Sequence, residues 1–467
     1  MKKLLLLVCA TAMLHIARAD EGMWIPMLIG KNYDEMLRKG LRLSKEDLYS
    51  INHSSTKDAI VQFNGGCTAE IISSNGLLLT NHHCGYDPIA TLSTVEHNYL
   101  DNGFWAHSMK EELPAKGVSV IFLERMEDIT ADVLKAVGNS TGEEYNKKYN
   151  DFKKELEEKA SKKGKYVANV KDYFNGNQFF LIIYKKYTDI RLVGTPPKSL
   201  GKFGGDTDNW MWPRHTADFS MFRVYAGKDN QPAAYSEENV PLKPKKFLPV
   251  SIKGVQEGDY AMIFGYPGRT NRYEVSQGVS LAVNEVNPTI VSIRDKRLAI
   301  MHSHMMADKK VYLQLTAGYQ RIANYWKYFI GQTEQLKRLN IVEAKKGQEA
   351  AFMTWASNNK YDASFMKEYD GLFSDYMPYA KHAVYYTECF KAPATARIGA
   401  LLEPLYKYLS KKERNEDSVK KYTTTIQTEY RKLLKDYEKA TDKELLAEMC
   451  QMYYNNVPKN QLPDVYK

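Results

Sequence analysis

The chain changes character near residue 275, and that change limits its architecture more than any single motif. Before it, short apolar runs are broken by turn residues: 59–63, then Gly65-Gly66, then 69–73, then Asn75-Gly76, then Leu77-Leu78-Leu79. Asn-Gly between two apolar runs is the strongest short-range hairpin signal, because the tight turn needs positive φ. Further strands are expected at 118–123, 179–184, 219–225 and 260–264. One helix interrupts them: Thr141 and Glu144 have capping-box spacing, and Tyr145, Tyr149, Phe152, Leu156 and Ala160 follow along one helical face. Past the turn cluster Gly265-Tyr266-Pro267-Gly268 the pattern is helical. Val419, Tyr422, Ile426, Tyr430, Leu433 and Tyr437 line one face, and Thr441 with Glu444 offers a second capping box. The expected class is therefore β + α multidomain, divided at 20–275 and 276–467, with no internal repeat.

A targeting segment precedes this. Lys2 and Lys3, a short apolar run to Ile16, and Ala17-Arg18-Ala19 have the order of a secretory signal peptide, residues 1–19, so export is expected. Hydrophobic residues at 43% and charged residues at 26% exclude a disordered or low-complexity chain. A mean hydropathy of -0.50, and no run near the ~20 apolar residues of a bilayer span, exclude a polytopic membrane protein. The net charge of +9 is spread through Glu-containing stretches instead of a basic stripe, which disfavours nucleic acid as a partner. Four cysteines follow the leader, Cys67, Cys84, Cys389 and Cys450. An even number suits an oxidising compartment, and of the three possible pairings spacing decides none.

Two stretches of the β-rich part carry the chemistry. The first runs from Gly65-Gly66-Cys67-Thr68-Ala69 through the hairpin to Thr80-Asn81-His82-His83-Cys84-Gly85. The second is the loop from Gly204-Gly205 through Asn209-Trp210-Met211-Trp212 to Asp218, which runs into the apolar strand at 219–225. A metal site is disfavoured: adjacent residues seldom converge on one tetrahedral ion, and the chain has no HExxH and no paired CxxC. No metal or organic cofactor is implied.

The first stretch resembles the chymotrypsin-like serine peptidases, in which the catalytic histidine directly precedes a half-cystine at the end of such a hairpin. On that resemblance His83 is the base, His82 points elsewhere, and Cys67 pairs with Cys84; a bridge over that loop contributes about 3 kcal/mol on the loop-entropy account. A triad also needs a shielded carboxylate to orient the imidazole, and Asp218, at the mouth of a strand, fits best. Asp206 and Asp208 sit in Gly-rich text and read as turn residues.

Together these segments resemble the bacterial exported dipeptidyl-peptidases of the dipeptidyl-peptidase 7 and dipeptidyl-peptidase 11 type. The similarity covers the whole chain, and includes Asp20 to Trp24, Gly265 to Tyr273 and Asn324-Tyr325-Trp326-Lys327. It implies a chymotrypsin-like double β-barrel, a helical domain capping the cleft, oligopeptide substrates, a periplasmic or cell-surface location and a homodimer. It also assigns Asn209, Trp210 and Asn324 to the substrate's amino end. Amide carbonyls accept from an ammonium, and an indole face attracts a cation, so that role is chemically sound.

One part of the pattern has no counterpart. Such peptidases carry the nucleophile in Gly-Xaa-Ser-Gly text, and these 467 residues contain no Ser-Gly dipeptide. Gly138-Asn139-Ser140-Thr141 leads into a helix and reads as its N-cap. The resemblance places the serine after the helical domain, inside which this chain stops. The expectation is a C-terminally truncated member, with the second barrel and the capping domain incomplete, inactive by itself. The alternative is a non-catalytic relative that binds peptide N-termini.

Overall fold

The structure is a computed structural model that describes residues 23–205, 207–268, 271–411, 414–435 and 437–466. The expected leader and Asp206 lie outside the described residues. The chain divides into two discontinuous units. One gathers the residues up to Leu78 with Ser119–Thr188 and Val224–Tyr266; the other gathers Leu79–Val118, Asp189–Arg223 and Pro267–Lys467.

The first unit is built on antiparallel strands. β1 (Ile60–Phe63) pairs with β2 (Cys67–Ile71) and, on its other side, with β6 (Val120–Asp128); β6 pairs with β8 (Gln178–Tyr187), and β8 with β7 (Val167–Tyr173). β8 is a continuous run of aromatic and aliphatic side chains from Phe179 to Tyr184 because both of its faces are covered there. Phe179, Leu181 and Ile183 face one cluster with Val133 and Val170, whereas Phe180, Ile182 and Tyr184 face another with Ile25, Leu123 and Met126. Alternation with a period of two sends successive side chains to opposite faces, and each buried side chain contributes about 2 kcal/mol of apolar transfer. The helix expected after Thr141 is present at Gly142–Ala160, and its Tyr145, Tyr149, Phe152, Leu156 and Ala160 pack onto the first cluster.

The Asn75-Gly76 turn forms before β3 (Leu77–Thr80), with Ile72 N donating to Leu77 O at 2.8 Å. Gly76 has φ +67°, and a Cβ there would lie 2.8 Å from Val224 O, so both conformation and space demand glycine. Three local expectations need correction. Residues 260–264 form no strand, and Ile263 stands fully exposed. Thr141 is an N-cap without a side-chain cap bond, and the Glu144 carboxylate, the other half of the expected box, turns to Lys148 at 2.8 Å. Thr441 does not start its helix: the helix begins at Lys439, capped by the Glu438 carboxylate, while Glu444 reaches His304.

The second unit holds β4 (Phe104–Trp105) and β5 (Leu113–Pro114), each paired with β9 (Asp189–Thr195), and most of the helices. α1 (His82–Leu92), α2 (Lys198–Gly201), α3 (Asn287–Ala307), α4 (Lys309–Arg338), α5 (Phe365–Phe390), α6 (Ala394–Leu409), α7 (Glu416–Lys435) and α8 (Lys439–Asn456) are those used below. Ile293, Tyr385, Cys389, Met449 and Tyr453 form the core where α3, α5 and α8 meet. Beside it, Arg294 makes a two-pronged bond to Glu388 at 2.8 and 3.0 Å, and Arg297 joins at 3.3 Å. On α7, Tyr422 packs against Tyr408 of α6 with ring centres 5.4 Å apart, while Tyr430 of the expected apolar face is exposed.

Candidate active site

β3 ends at Thr80 and α1 begins at His82, so Asn81 occupies the N-cap with extended backbone, φ -66° and ψ 151°. Successive helical residues point about 100° apart, which separates the two histidines. The His82 side chain is fully buried. It lies against Gly201, where a Cβ would come within 2.5 Å of the ring, and edge-on to Tyr86 at 5.0 Å. Among the described residues, neither of its ring nitrogens has a hydrogen-bond partner of normal geometry. Burial pushes its pKa down to about 4, against the opposing pull of Asp218 and the Pro196 backbone, so the ring is neutral at neutral pH. The His83 side chain, by contrast, is 63% exposed.

Asp218 lies just before β10 (Ser220–Ala226) and meets the start of α1. Its Oδ2 is 2.9 Å from His83 Nδ1, and its Oδ1 accepts from the His83 backbone N–H at 3.1 Å. Asn81 Nδ2 donates to both the Asp218 carbonyl and Oδ2, each at 3.3 Å. Burial favours the neutral carboxyl, but the hydrogen bonds and charge of His83 outweigh it and hold the pKa below the usual 3.8. The helix N-terminus also favours a negative charge there. A carboxylate facing Nδ1 fixes the tautomer with its proton on Nδ1 and leaves Nε2 basic, the arrangement a general base needs.

The second group of expected residues also converges. Asn209 Nδ2 donates to Asn324 Oδ1 at 3.0 Å, and Trp210 Nε1 donates to the Asn324 carbonyl at 3.0 Å. Trp210 holds φ +63°, uncommon for a residue with a side chain, and its ring lies 5.3 Å from Tyr328. Asn324 is on α4. One turn earlier, Arg321 Nη1 reaches Asp87 Oδ2 on α1 at 2.7 Å, which ties the helix bearing His83 to the helix bearing Asn324. Both partners are half exposed, so the tie contributes at most about 1 kcal/mol.

Cys67 and Cys84 are disulfide-bonded, and sulfurs joined in this way offer no thiolate to a metal. Cys389 and Cys450 are free thiols, the former buried. A cavity of about 540 Å³ lies elsewhere in the unit, lined by Lys198, Lys202, His302, Met305, Tyr312 and Gln320 among others; His83 and Asp218 do not line it. Sequence reasoning missed the parts played by Asn81, by Gly201 beneath His82, and by the Arg321–Asp87 pair. Asn before a helix reads only as a cap, and no local signal joins Arg321 to a residue 234 positions away.

The Peptidase S46 family profile matches residues 19–467. The Asp/Glu-specific dipeptidyl-peptidase of Capnocytophaga gingivalis is 42% identical over 447 residues, which cover 94% of this chain and 62% of that protein. Dipeptidyl-peptidase 7 of Phocaeicola vulgatus is 39% identical over 481 residues, covering 99% of this chain and 66% of that one. The crystal structure of Porphyromonas endodontalis DPP11 in complex with the dipeptide Arg-Glu superposes with a TM-score of 0.82 at 32% identity, covering 96% of this chain and 65% of that chain. The chain thus spans slightly less than two thirds of the Capnocytophaga relative and of DPP11. With a profile match over nearly its whole length and relatives near 40% identity, the chain belongs to the Peptidase S46 family.

Proposed function

We propose that this chain supplies the base, the orienting carboxylate and the amine anchor of a serine-type dipeptidyl-peptidase that releases dipeptides from the free N-terminus of oligopeptides outside the cytoplasm. The observation that carries this is the 2.9 Å bond between His83 Nδ1 and Asp218 Oδ2, made at the mouth of a helix with His83 exposed to an incoming substrate. In this reading Nε2 takes the proton of a serine hydroxyl and returns it to the leaving amine, while Asp218 stabilises the imidazolium that forms. Asn209, Trp210 and Asn324 grip the substrate ammonium, and their fixed distance from the base counts out two residues. Residues 20–275 contribute to a chymotrypsin-like double barrel, and the helices after 276 cap its cleft. The nucleophile is a serine in Gly-Xaa-Ser-Gly text, which residues 1–467 do not contain, so hydrolysis needs a serine-bearing segment.

The test joins the chain to the serine-bearing C-terminal third of a full-length relative and follows dipeptide release from a peptide with a free or an acetylated N-terminus. Release from the free form alone is expected, with a loss of about 10⁴-fold or more in His83→Ala. Full activity in His83→Ala would refute the triad. Undiminished cleavage of the acetylated peptide would refute the amine anchor.

A further inference from the structure

Asn81 stands at the N-cap of α1, where an asparagine ordinarily accepts a hydrogen bond from the N–H of the second or third helical residue. It makes no such bond. The N–H of His83, the second helical residue, is taken instead by Asp218 Oδ1. The carboxylate from the β10 side therefore caps the helix, and the asparagine side chain is turned to hold that carboxylate. Its Nδ2 reaches the Asp218 carbonyl oxygen and Oδ2 at 3.3 Å each, gripping the aspartate at its main chain and its side chain together. The backbone carbonyl of Asn81 is occupied as well. It accepts from Cys84 N at 3.1 Å, Gly85 N at 3.2 Å and Ser220 Oγ at 3.4 Å, so the residue has little freedom to move.

We propose that Asn81 is a positioning residue: its carboxamide fixes the rotamer of Asp218 so that Oδ2 stays on His83 Nδ1 and Oδ1 on the helix N–H. The proposal rests on the reading of His83 and Asp218 as base and orienting carboxylate. The geometry supports a division of labour. Oδ1 has one donor, the His83 N–H; Oδ2 has two, the imidazole and Asn81. Without the amide, the carboxylate retains, among the described residues, only its bonds to His83 itself, and both can be kept or lost together as the side chain turns. The imidazole would then be held by a carboxylate whose hydrogen bonds, among the described residues, come from that same histidine. Because Asn81 makes no cap bond, removing its side chain costs the helix no hydrogen bond of its own.

The test uses the whole chain with ¹⁵N-labelled histidine, at a pH of about 8.5 where an ordinary imidazole is neutral. The spectrum reads which ring nitrogen of each of the ten histidines carries the proton, and His83→Gln assigns the signal. Wild type is expected to show His83 protonated on Nδ1. Asp218→Asn and Asn81→Ala are each expected to lose that fixed tautomer, with helix content unchanged by circular dichroism. Should Asn81→Ala fail to fold, Asn81→Ser, which keeps a good helix-starting residue, is expected to give the same loss. If the asparagine variants keep the Nδ1–H tautomer while Asp218→Asn loses it, the positioning role is wrong and the dyad stands. If Asp218→Asn also keeps it, the dyad reading falls, and the role of Asn81 falls with it.

Discussion

Gly201→Ala should damage the site from behind without touching the dyad. The added Cβ would lie 2.5 Å from His82 Cδ2 and 2.6 Å from Cγ and Nε2, against the 3.4 Å at which ordinary contact begins. Three atoms of one ring are struck together, so no ring flip relieves the clash; the imidazole or the α2 backbone must shift by roughly 0.9 Å. His82 is fully buried and has Tyr86 at its edge, which leaves it little room. Overpacking of this kind costs about 1–3 kcal/mol. Against it stands a gain of about 0.4–1 kcal/mol from a less flexible unfolded chain, so the net loss centres on about 1.3 kcal/mol. Hydrogen exchange measured by mass spectrometry on peptides covering α1 and α2 should show opening increased about tenfold. The same substitution in a His82→Ala background should be neutral or stabilising, because the struck ring is gone. Equal protection of Gly201→Ala and wild type would refute the claim that this wall is closely packed, as would the same effect in both backgrounds.

Three further predictions follow from buried groups. The folded-state pKa of His82, about 4, lies below the 6.5 of the unfolded chain, so its contribution is fully present above pH 6.5 and is lost as pH falls toward 4. Replacing it with Gln should flatten stability against pH across that window in acid titrations followed by fluorescence, whereas an unchanged slope would show that the ring is not buried neutral. Glu388→Ala leaves Arg294 and Arg297 without their shared carboxylate in a largely buried place, and should cost about 3 kcal/mol by urea denaturation; a loss below about 1 kcal/mol would mean that the guanidiniums find other partners. Burial pushes the Cys389 thiol pKa up to about 12, so it should resist alkylation in the folded chain and react on unfolding. Rapid labelling of the native protein at Cys389, located by peptide mapping, would contradict that.

The hairpin, the strands through 118–123 and 179–184, the helix after Thr141 and the helical run past 275 were legible because each depends on local periodicity or turn chemistry. The strand expected at 260–264 was not, since an apolar run becomes a strand only where a neighbouring strand offers hydrogen bonds, and that is non-local information. The two capping boxes had the right spacing, but Lys148 and His304 compete for the glutamates from beyond the cap. In the site, triad chemistry pointed to Asp218, the resemblance to chymotrypsin-like peptidases to His83, and the resemblance to dipeptidyl-peptidases to Asn209, Trp210 and Asn324; these residues lie in two clusters. What joins the clusters could not be read. Arg321 and Asp87 are ordinary surface charges until α1 and α4 are set side by side, and the role of Gly201 depends on a ring more than a hundred positions earlier.

The discontinuous division of the chain also sets a timetable for synthesis. Within residues 1–467 the last segment of the first unit ends at Tyr266, so these segments have all been made before α3 begins. The second unit joins segments made early, including those with His83 and Asp218, to a long helical stretch made after them. At about 5–20 residues per second, the early segments wait tens of seconds for the helices that pack with them in the same unit. During that interval the half-made unit exposes apolar surface, and a chaperone that shields 79–118 and 189–223 would act on the stage of biogenesis most open to misfolding.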